Sequence, residues 1–219
     1  MRFPVAVVLS LAVVLCVAPF AAAEPSLNGY TGLIAAPTAR VTAPDYVELG
    51  LNTREVEEFD NITWLANFGA SDGLEVGFAN IEFPGSGGQE TVISGKYQLR
   101  PESGERPAIA VGVFDITDGV DATAYLALSK SYGKELGKIR GKETRLLGIH
   151  GGFGGGVIDG FFVAGEAQIG KEVTAQLEWV SDNFSAGADA DVLAGAQDGA
   201  AWVDLDDLAL TASVAFQIK

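Results

Sequence analysis

Residues 208–219 read LALTASVAFQIK, and along them large apolar side chains alternate with small or polar ones. Alternation with a period of two is typical of a β-strand that has one apolar face. The same pattern covers residues 161–169 and 173–180, which are separated by three residues that include Gly170, so this pair predicts a β-hairpin. Segments of this kind recur back to residue 47. The sequence therefore predicts an all-β antiparallel protein of about 10–12 strands.

The higher strand count depends on two weak segments. Residues 30–35 read as a short first strand that ends in a turn before Pro37, since proline cannot lie inside a central ladder. Residues 184–191 read as a weak strand near the end of the chain. The acidic stretch that follows, with Asp198, Asp204, Asp206 and Asp207, reads as solvated loop.

Two architectures fit alternating strands, a soluble β-sandwich and a transmembrane β-barrel. The strand lengths cluster near 9–11 residues, which is the length of a tilted β-strand that spans a bilayer. The face opposite the apolar one carries mostly glycine, alanine, serine, threonine and glutamine, rather than the dense charge of a water-facing sheet. We therefore expect an up-and-down transmembrane β-barrel, and the soluble secreted sandwich that binds a ligand is the alternative.

The N-terminus predicts export. Residues 1–23 hold one charge, Arg2, then a long apolar run, and then three alanines before Glu24, which is the pattern of a cleavable signal peptide. The domains expected are a signal peptide over residues 1–23 and an outer-membrane barrel over residues 24–219. The single cysteine of the chain, Cys16, lies in the predicted signal, so disulfides and thiolate chemistry are not expected in the mature part.

Composition excludes two classes of protein. The 14 basic and 29 acidic residues give a net charge of −15, whereas nucleic-acid binding requires a basic surface. An apolar content of 48% is too high for a disordered chain.

Charged residues on the small-residue face are predicted to point into the barrel lumen. The set is Glu48, Arg54, Glu75, Lys96, Arg100, Glu166 and Glu178. Their mixed signs are compatible with a paired network that fills a narrow barrel, because unpaired buried charges are costly. A charged lining of an open pore is the alternative, since 10–12 strands lie between filled and channel-forming barrels.

A segment near the start of the predicted mature chain carries a family resemblance. Residues 29–40 read GYTGLIAAPTAR, and Gly32, Leu33, Ile34, Pro37, Thr38 and Ala39 resemble the opening of the YjbH-like family. That family consists of outer-membrane β-barrels linked to exopolysaccharide production. The resemblance implies a role in exopolysaccharide export or assembly, in a compact relative with a single barrel.

Catalytic and metal sites have little support. His150 is the single histidine, and no Gly-x-Ser-x-Gly elbow provides it with a serine nucleophile. The glycine run at residues 151–156 lacks the Lys-Ser/Thr of a phosphate loop and reads as a flexible hairpin loop. The aspartates lack the spacing of a calcium loop. We therefore predict a non-enzymatic protein without cofactor or metal.

One stretch is strongly basic. Residues 130–145 hold six of the 14 basic residues, and the loop expected there contains Lys134, Lys138, Arg140 and Lys142. Such a loop is suited to lipid phosphates, including those of lipopolysaccharide, or to an anionic polysaccharide. The sequence thus predicts a protein of the bacterial outer membrane that contacts its lipid, with a passive porin-like or structural barrel as the alternative to polysaccharide export.

Overall fold

The computed structural model describes residues 25–56, 59–83, 88–193 and 196–218, so the predicted signal peptide lies outside the described residues. Twelve antiparallel strands are found within these ranges. They are β1 (Tyr46–Val56), β2 (Phe59–Ser71), β3 (Leu74–Phe83), β4 (Gly88–Arg100), β5 (Ala108–Phe114), β6 (Thr123–Ile139), β7 (Lys142–Gly154), β8 (Gly160–Ile169), β9 (Val173–Val180), β10 (Asn183–Leu193), β11 (Ala196–Val203) and β12 (Asp207–Gln217).

The strands form one closed barrel in which each strand pairs with its sequence neighbours. The barrel closes where β1 pairs with β12, from Tyr46 opposite Gln217 to Arg54 opposite Ala209. A closed single sheet has no unpaired edge. The up-and-down barrel predicted from the sequence is therefore confirmed, and the sandwich of two stacked sheets is wrong.

The apolar side chains of the strands point outward. In β8, Phe161 and Val163 are 70% and 50% exposed, whereas the alternate residues Phe162 and Ala164 are buried. The other strands repeat this arrangement, which leaves large apolar groups such as Trp202 on the exterior. An apolar outer band on a closed barrel is what a lipid environment requires. Within the described ranges, no helix is long and apolar enough to cross a membrane.

The strand count is correct, but its membership differs from the sequence prediction in two places. Residues 30–35 are not a barrel strand, because they lie inside the barrel and not in its wall. The acidic stretch is a loop only in part. Asp204 and Asp206 lie in the turn between β11 and β12, whereas Ala196–Val203, which contains Asp198, forms β11 and pairs with both β10 and β12, and Asp207 begins β12. Asp198 and Asp191 lie on this part of the sheet, where pairing with two neighbours outweighs the low strand propensity of aspartate.

Two predicted loops are also strands. The basic segment is a β6–β7 hairpin that continues to Ile139 and returns from Lys142, with only Arg140 and Gly141 in the turn. Most of the glycine run belongs to β7, which ends at Gly154, and only residues 155–159 form a loop. Pairing with β6 and β8 holds these glycines extended, so the prediction of flexibility there was wrong.

Candidate functional site in the barrel lumen

The lumen is occupied by the chain's own N-terminal segment. Residues 25–45, here called the plug segment, run into the barrel, and Tyr30, Leu33, Ile34, Ala36 and Ala39 are each at most 4% exposed. The segment makes isolated bridges within itself, between Pro25 and Thr31 and between Gly32 and Pro37. These contacts fold it back on itself as a compact filling of the lumen.

Glycines on the inner wall make room for the plug segment. A side chain at Gly69 of β2 would place its Cβ 1.9 Å from the carbonyl oxygen of Ala43. A Cβ at Gly77 of β3 would lie 3.1 Å from the carbonyl oxygen of Gly29. At Gly69 the wall and the plug backbone therefore approach more closely than any larger residue permits, and at Gly77 a side chain would be tightly packed against the plug backbone.

Glu75 of β3 binds the plug backbone at two points. Its Oε1 accepts a hydrogen bond from the backbone nitrogen of Thr31 at 3.0 Å, and its Oε2 accepts one from the backbone nitrogen of Thr42 at 2.8 Å. The hydroxyl of Thr31 donates to the same Oε2 at 2.7 Å. Hydrogen bonds to a charged acceptor contribute about 1.5–3 kcal/mol each, so Glu75 is a strong anchor.

Lys96 of β4 binds the carbonyl oxygens of the plug backbone, whereas Glu75 binds its N–H groups. Its Nζ donates to the carbonyl oxygens of Thr31, at 2.6 Å, and of Arg40, at 2.9 Å, and it also contacts the Thr31 hydroxyl. The ammonium lies 3.6 Å from Glu75 Oε1, and both side chains are at most 2% exposed. The buried pair therefore holds both backbone N–H and C=O groups of the plug segment, which would otherwise lack partners inside the barrel.

Glu178 of β9 anchors the middle of the plug segment, between the two points held by Glu75. Its two carboxylate oxygens accept hydrogen bonds from the backbone nitrogens of Ala35 and Ala36, at 2.7 and 2.9 Å. Ala36 is fully buried, so water has no access to its amide. The plug segment is thus bound through its main chain on opposite walls, at β3–β4 and at β9.

A third anchor joins the plug segment to β6, β7 and β8. Arg40 forms an ion pair with Glu166, and the backbone nitrogen of Ala39 donates to Ser129 Oγ at 2.7 Å. Ser129 Oγ lies 2.8 Å from His150 Nδ1, and His150 Nε2 lies 3.5 Å from Glu166 Oε1. Serine, histidine and acid are thus in line as in a hydrolase, but all three are buried and the serine oxygen already binds the plug segment. The arrangement supports a structural role.

Tyr30 is the apolar anchor of the plug segment. Its ring lies 5.7 Å from that of Phe114, edge on, and 5.5 Å from that of Tyr125. Its hydroxyl donates to the carbonyl oxygen of Ala35 at 2.6 Å. A tyrosine that is 1% exposed and satisfied in this way contributes both apolar burial and a hydrogen bond.

The plug segment does not fill the lumen evenly. A cavity of about 30 Å³ remains between it and the wall formed by β9–β12 and β1, which is the space of about two water molecules. Polar side chains line it, among them Asn52, Gln176, Asp189, Gln197 and Thr211. Along this wall the inward residues are small or polar, so the lumen would be widest here without the plug segment.

The predicted lumen charges divide into two groups. Glu75, Lys96, Glu166 and Glu178 contact the plug segment as described above, and Glu48 is buried in the lumen at 3% exposure. The other two lie towards the ends of the barrel: Arg54 pairs with Asp207 at 2.9 Å, and Arg100 donates to the carbonyl oxygen of Pro107. The structure thus contains a filled lumen, one of the two possibilities that the sequence left open.

The six residues of the family-like motif all belong to the plug segment, and Gly32, Leu33, Ile34, Pro37, Thr38 and Ala39 are buried in the lumen. Sequence reasoning missed Arg40, Ser129 and Gln98, whose Nε2 donates to the carbonyl oxygen of Ala39. Ser129 and Gln98 could have been found because each alternates along its strand with large apolar residues and therefore points into the barrel. No group of three or more metal-ligating residues occurs in the described part of the chain.

The loop between β5 and β6 lies against β4, where the backbone nitrogen of Ile116 donates to the carbonyl oxygen of Ile93, and it is organised by Asp115. Its carboxylate accepts hydrogen bonds from the Thr117 hydroxyl at 2.6 Å and from the backbone nitrogens of Val120 and Asp121 at 2.6 and 3.0 Å. Burial by itself raises the pKa of a carboxyl group. Here these hydrogen bonds outweigh it and hold the pKa of Asp115 below its ordinary value.

A closed antiparallel barrel with an apolar exterior and a polar lumen defines an outer-membrane β-barrel protein. The chain is similar in fold to the KdgM porin, with a TM-score of 0.51 and 8% sequence identity over 78% of this chain and 99% of that one. The NanC porin gives a TM-score of 0.46 at 9% identity, over 78% of this chain and 100% of that one.

A third solved structure, the outer membrane protein Omp33 of Acinetobacter baumannii, gives a TM-score of 0.44 at 8% identity, over 78% of this chain and 97% of that one. No protein-family model and no curated protein matches the sequence. The likeness to the KdgM porin, at 8% identity, shows a shared β-barrel fold alone.

Proposed function

We propose that this chain is a passive, porin-like barrel of the bacterial outer membrane whose channel is closed by its own plug segment. The observation that carries the proposal is the binding of the plug backbone by Glu75, Lys96 and Glu178 from opposite walls. Hydrogen bonds to the main chain hold a segment in place whatever its side chains are. This mode of binding suits a permanent part of the chain that closes the channel better than it suits an exchangeable ligand.

The barrel without the plug segment is expected to conduct. The inward faces of β10–β12 carry small residues, such as Gly187, Gly199 and Ala209, and a cavity already lies beside them. A barrel of twelve strands is wider than the eight-stranded barrels that side chains alone can fill. Removing residues 25–43, which make up nearly all of the plug segment, therefore leaves a polar lumen open to water.

The test compares the full chain with a variant that lacks residues 25–43, each reconstituted in planar lipid bilayers. We expect long closed periods for the full chain and stable ohmic conductance for the deletion variant. Retention of the folded barrel is checked by its resistance to SDS until heated. Equal conductance of the two proteins, both folded, would refute closure by the plug segment.

A non-enzymatic role belongs to the same proposal. The Ser129 oxygen accepts a hydrogen bond from the Ala39 amide and is covered by the plug segment, so no substrate carbonyl can approach it. We expect the His150→Ala variant to leave any lipid hydrolysis measured with the purified protein unchanged. A rate that falls with this substitution would instead favour a hydrolase.

The resemblance of residues 29–40 to the YjbH-like family supports a narrower proposal, assistance in exopolysaccharide export or assembly. The residues that carry the resemblance are those of the plug segment, which connects that role with opening and closing of the lumen. The test measures secreted polysaccharide in cells that lack the protein and in cells complemented with the full chain or the deletion variant. Equal amounts of secreted polysaccharide in all three kinds of cell would refute the role in export or assembly and leave the proposal of a passive barrel standing.

A further inference from the structure

The β6–β7 hairpin extends beyond the barrel wall. The last pair between β5 and β6 joins Ala108 and Ser129, and the pairing of β7 with β8 ends at Thr144 and Ile169. Pairing of β6 with β7 continues to Ile139 and Lys142. Every residue from 131 to 143 is exposed, on both faces of the hairpin. This protruding part, residues 131–145, is called the basic hairpin below.

The cations of the basic hairpin are of two kinds. Arg145 lies 3.8 Å from Glu135 and 3.7 Å from Glu143, so its charge is offset within the hairpin. Four others have no carboxylate within 4.0 Å among the residues that the structure describes. These four are Lys134, Lys138, Arg140 and Lys142. On a protein of net charge −15, they form a local positive surface without an internal partner.

Large apolar side chains are exposed on the same hairpin. Tyr132, Leu136 and Ile139 are 44%, 55% and 50% exposed. A soluble polyanion offers nothing to bury these groups, whereas the boundary between headgroups and acyl chains does. Tyrosine in particular is enriched at that boundary.

The position of the hairpin agrees with this boundary. Leu128 and Ile149 face outward on the barrel portions of β6 and β7, where the wall meets lipid. Tyr132 follows Leu128 by four residues, a path of about 13 Å along the strand. The basic hairpin therefore continues directly from a lipid-facing part of the wall.

Strand addition by a second protein is disfavoured at the same place. The pairing of β6 with β7 has irregularities between Ser131 and Lys134 and between Glu135 and Gly137, where β6 contains extra residues. Such residues also disturb the regular spacing of the other edge of the strand. Bulges and lysines are the features by which exposed strand edges avoid pairing with other strands. The hairpin surface thus offers charge and apolar side chains more readily than a backbone edge.

We propose that the basic hairpin docks on the phosphate headgroups of anionic phospholipids in the leaflet around this end of the barrel. Lys134, Lys138, Arg140 and Lys142 bind the phosphates, and the exposed apolar side chains insert between the headgroups. The site is independent of the plug segment and of the proposed closure of the lumen.

The test titrates the detergent-purified full chain with phosphatidylglycerol or phosphatidylcholine of equal acyl length and counts bound lipids by native mass spectrometry. The variant Lys134→Gln, Lys138→Gln, Arg140→Gln, Lys142→Gln is compared with a charge-retaining variant in which each lysine becomes arginine and the arginine lysine. A cation near an anionic surface changes affinity by about fivefold. We expect the preference for phosphatidylglycerol to fall more than tenfold in the glutamine variant and to persist in the charge-retaining one.

Two further proteins make the result specific. Arg145→Gln removes a cation that is already paired, and we expect it to change the preference less than any one of the four. Replacing Tyr132, Leu136 and Ile139 by serine should weaken phosphatidylglycerol binding while leaving soluble dextran sulfate binding unchanged. The proposal is overturned if the glutamine variant keeps the preference, or if dextran sulfate binds more tightly than phosphatidylglycerol and the serine variant loses nothing. The latter result would assign the surface to an anionic polysaccharide.

Discussion

Replacement of Glu75 by glutamine is expected to release the plug segment. The carboxylate accepts backbone hydrogen bonds on both oxygens, from Thr31 on one and Thr42 on the other. Glutamine keeps one accepting oxygen and puts an NH₂ donor in place of the second, so one plug amide loses its acceptor. A buried group without a partner costs about 1–3 kcal/mol, and Lys96 also loses its carboxylate, for which breaking a buried pair costs about 3–5 kcal/mol.

These two effects overlap, and Lys96 keeps its bonds to the plug carbonyls, so we expect a net loss of about 3 kcal/mol in plug docking, roughly a hundredfold in the open population. The assay uses Thr38→Cys as a reporter, because Thr38 is 2% exposed in the lumen and the single natural cysteine, Cys16, lies in the predicted signal peptide. When opening is fast, the rate of modification by a bulky maleimide follows the open population.

The matched control is Glu82→Gln, on the exposed face of the same strand. We expect the reporter to react about a hundredfold faster with Glu75→Gln than with Glu82→Gln, while both barrels resist SDS until heated. Equal rates in two folded barrels would show that Glu75 does not hold the plug segment, and the inference from its hydrogen bonds would be refuted.

Four further outcomes are expected. Glu178→Ala should speed reaction of the reporter cysteine at least tenfold, because two plug amides, one of them fully buried, lose their acceptor, and an unchanged rate would contradict this anchor. Tyr30→Ala should cost about 3–5 kcal/mol of plug docking, whereas Tyr97→Ala, at a side chain 50% exposed on the lipid face, should leave reporter access as it was. Val163→Arg should lower the unfolding free energy in lipid vesicles by about 2–4 kcal/mol, and a neutral effect would argue against a lipid-facing position. The loop around Asp115 binds the deprotonated carboxylate, so the contribution of these hydrogen bonds to loop stability is complete above the ordinary carboxyl pKa of 3.8 and is lost as the pH falls through the lowered pKa. Hydrogen exchange of the loop amides should rise in that lower range of pH. In Asp115→Asn it should be high at every pH.

The outer face of the barrel could be predicted almost completely from the sequence. Leu210 and Val214 in β12, or Phe161 and Val163 in β8, alternate with small residues, and a period of two places them on one face whatever the rest of the chain does. Local alternation also distinguishes lipid-facing from lumen-facing positions, which is why Glu75, Lys96, Glu166 and Glu178 could be predicted to point inward. It failed at β11, where Asp198 and Gly199 are held in a strand by neighbours on both sides.

The plug segment lay beyond sequence reasoning for a physical reason. Residues 30–35 form a short, mostly apolar segment, and no feature of the local sequence distinguishes a strand at the edge of a sheet from a segment buried in a lumen. What decides their place is the set of partners that barrel closure brings together, Glu75 from β3, Lys96 from β4 and Glu178 from β9, which are far apart in the chain. The sequence by itself thus determined a membrane barrel with inward charges. Only the tertiary structure decided that these charges bind the chain's own backbone, because such hydrogen bonds exist only once the twelve strands have closed around it.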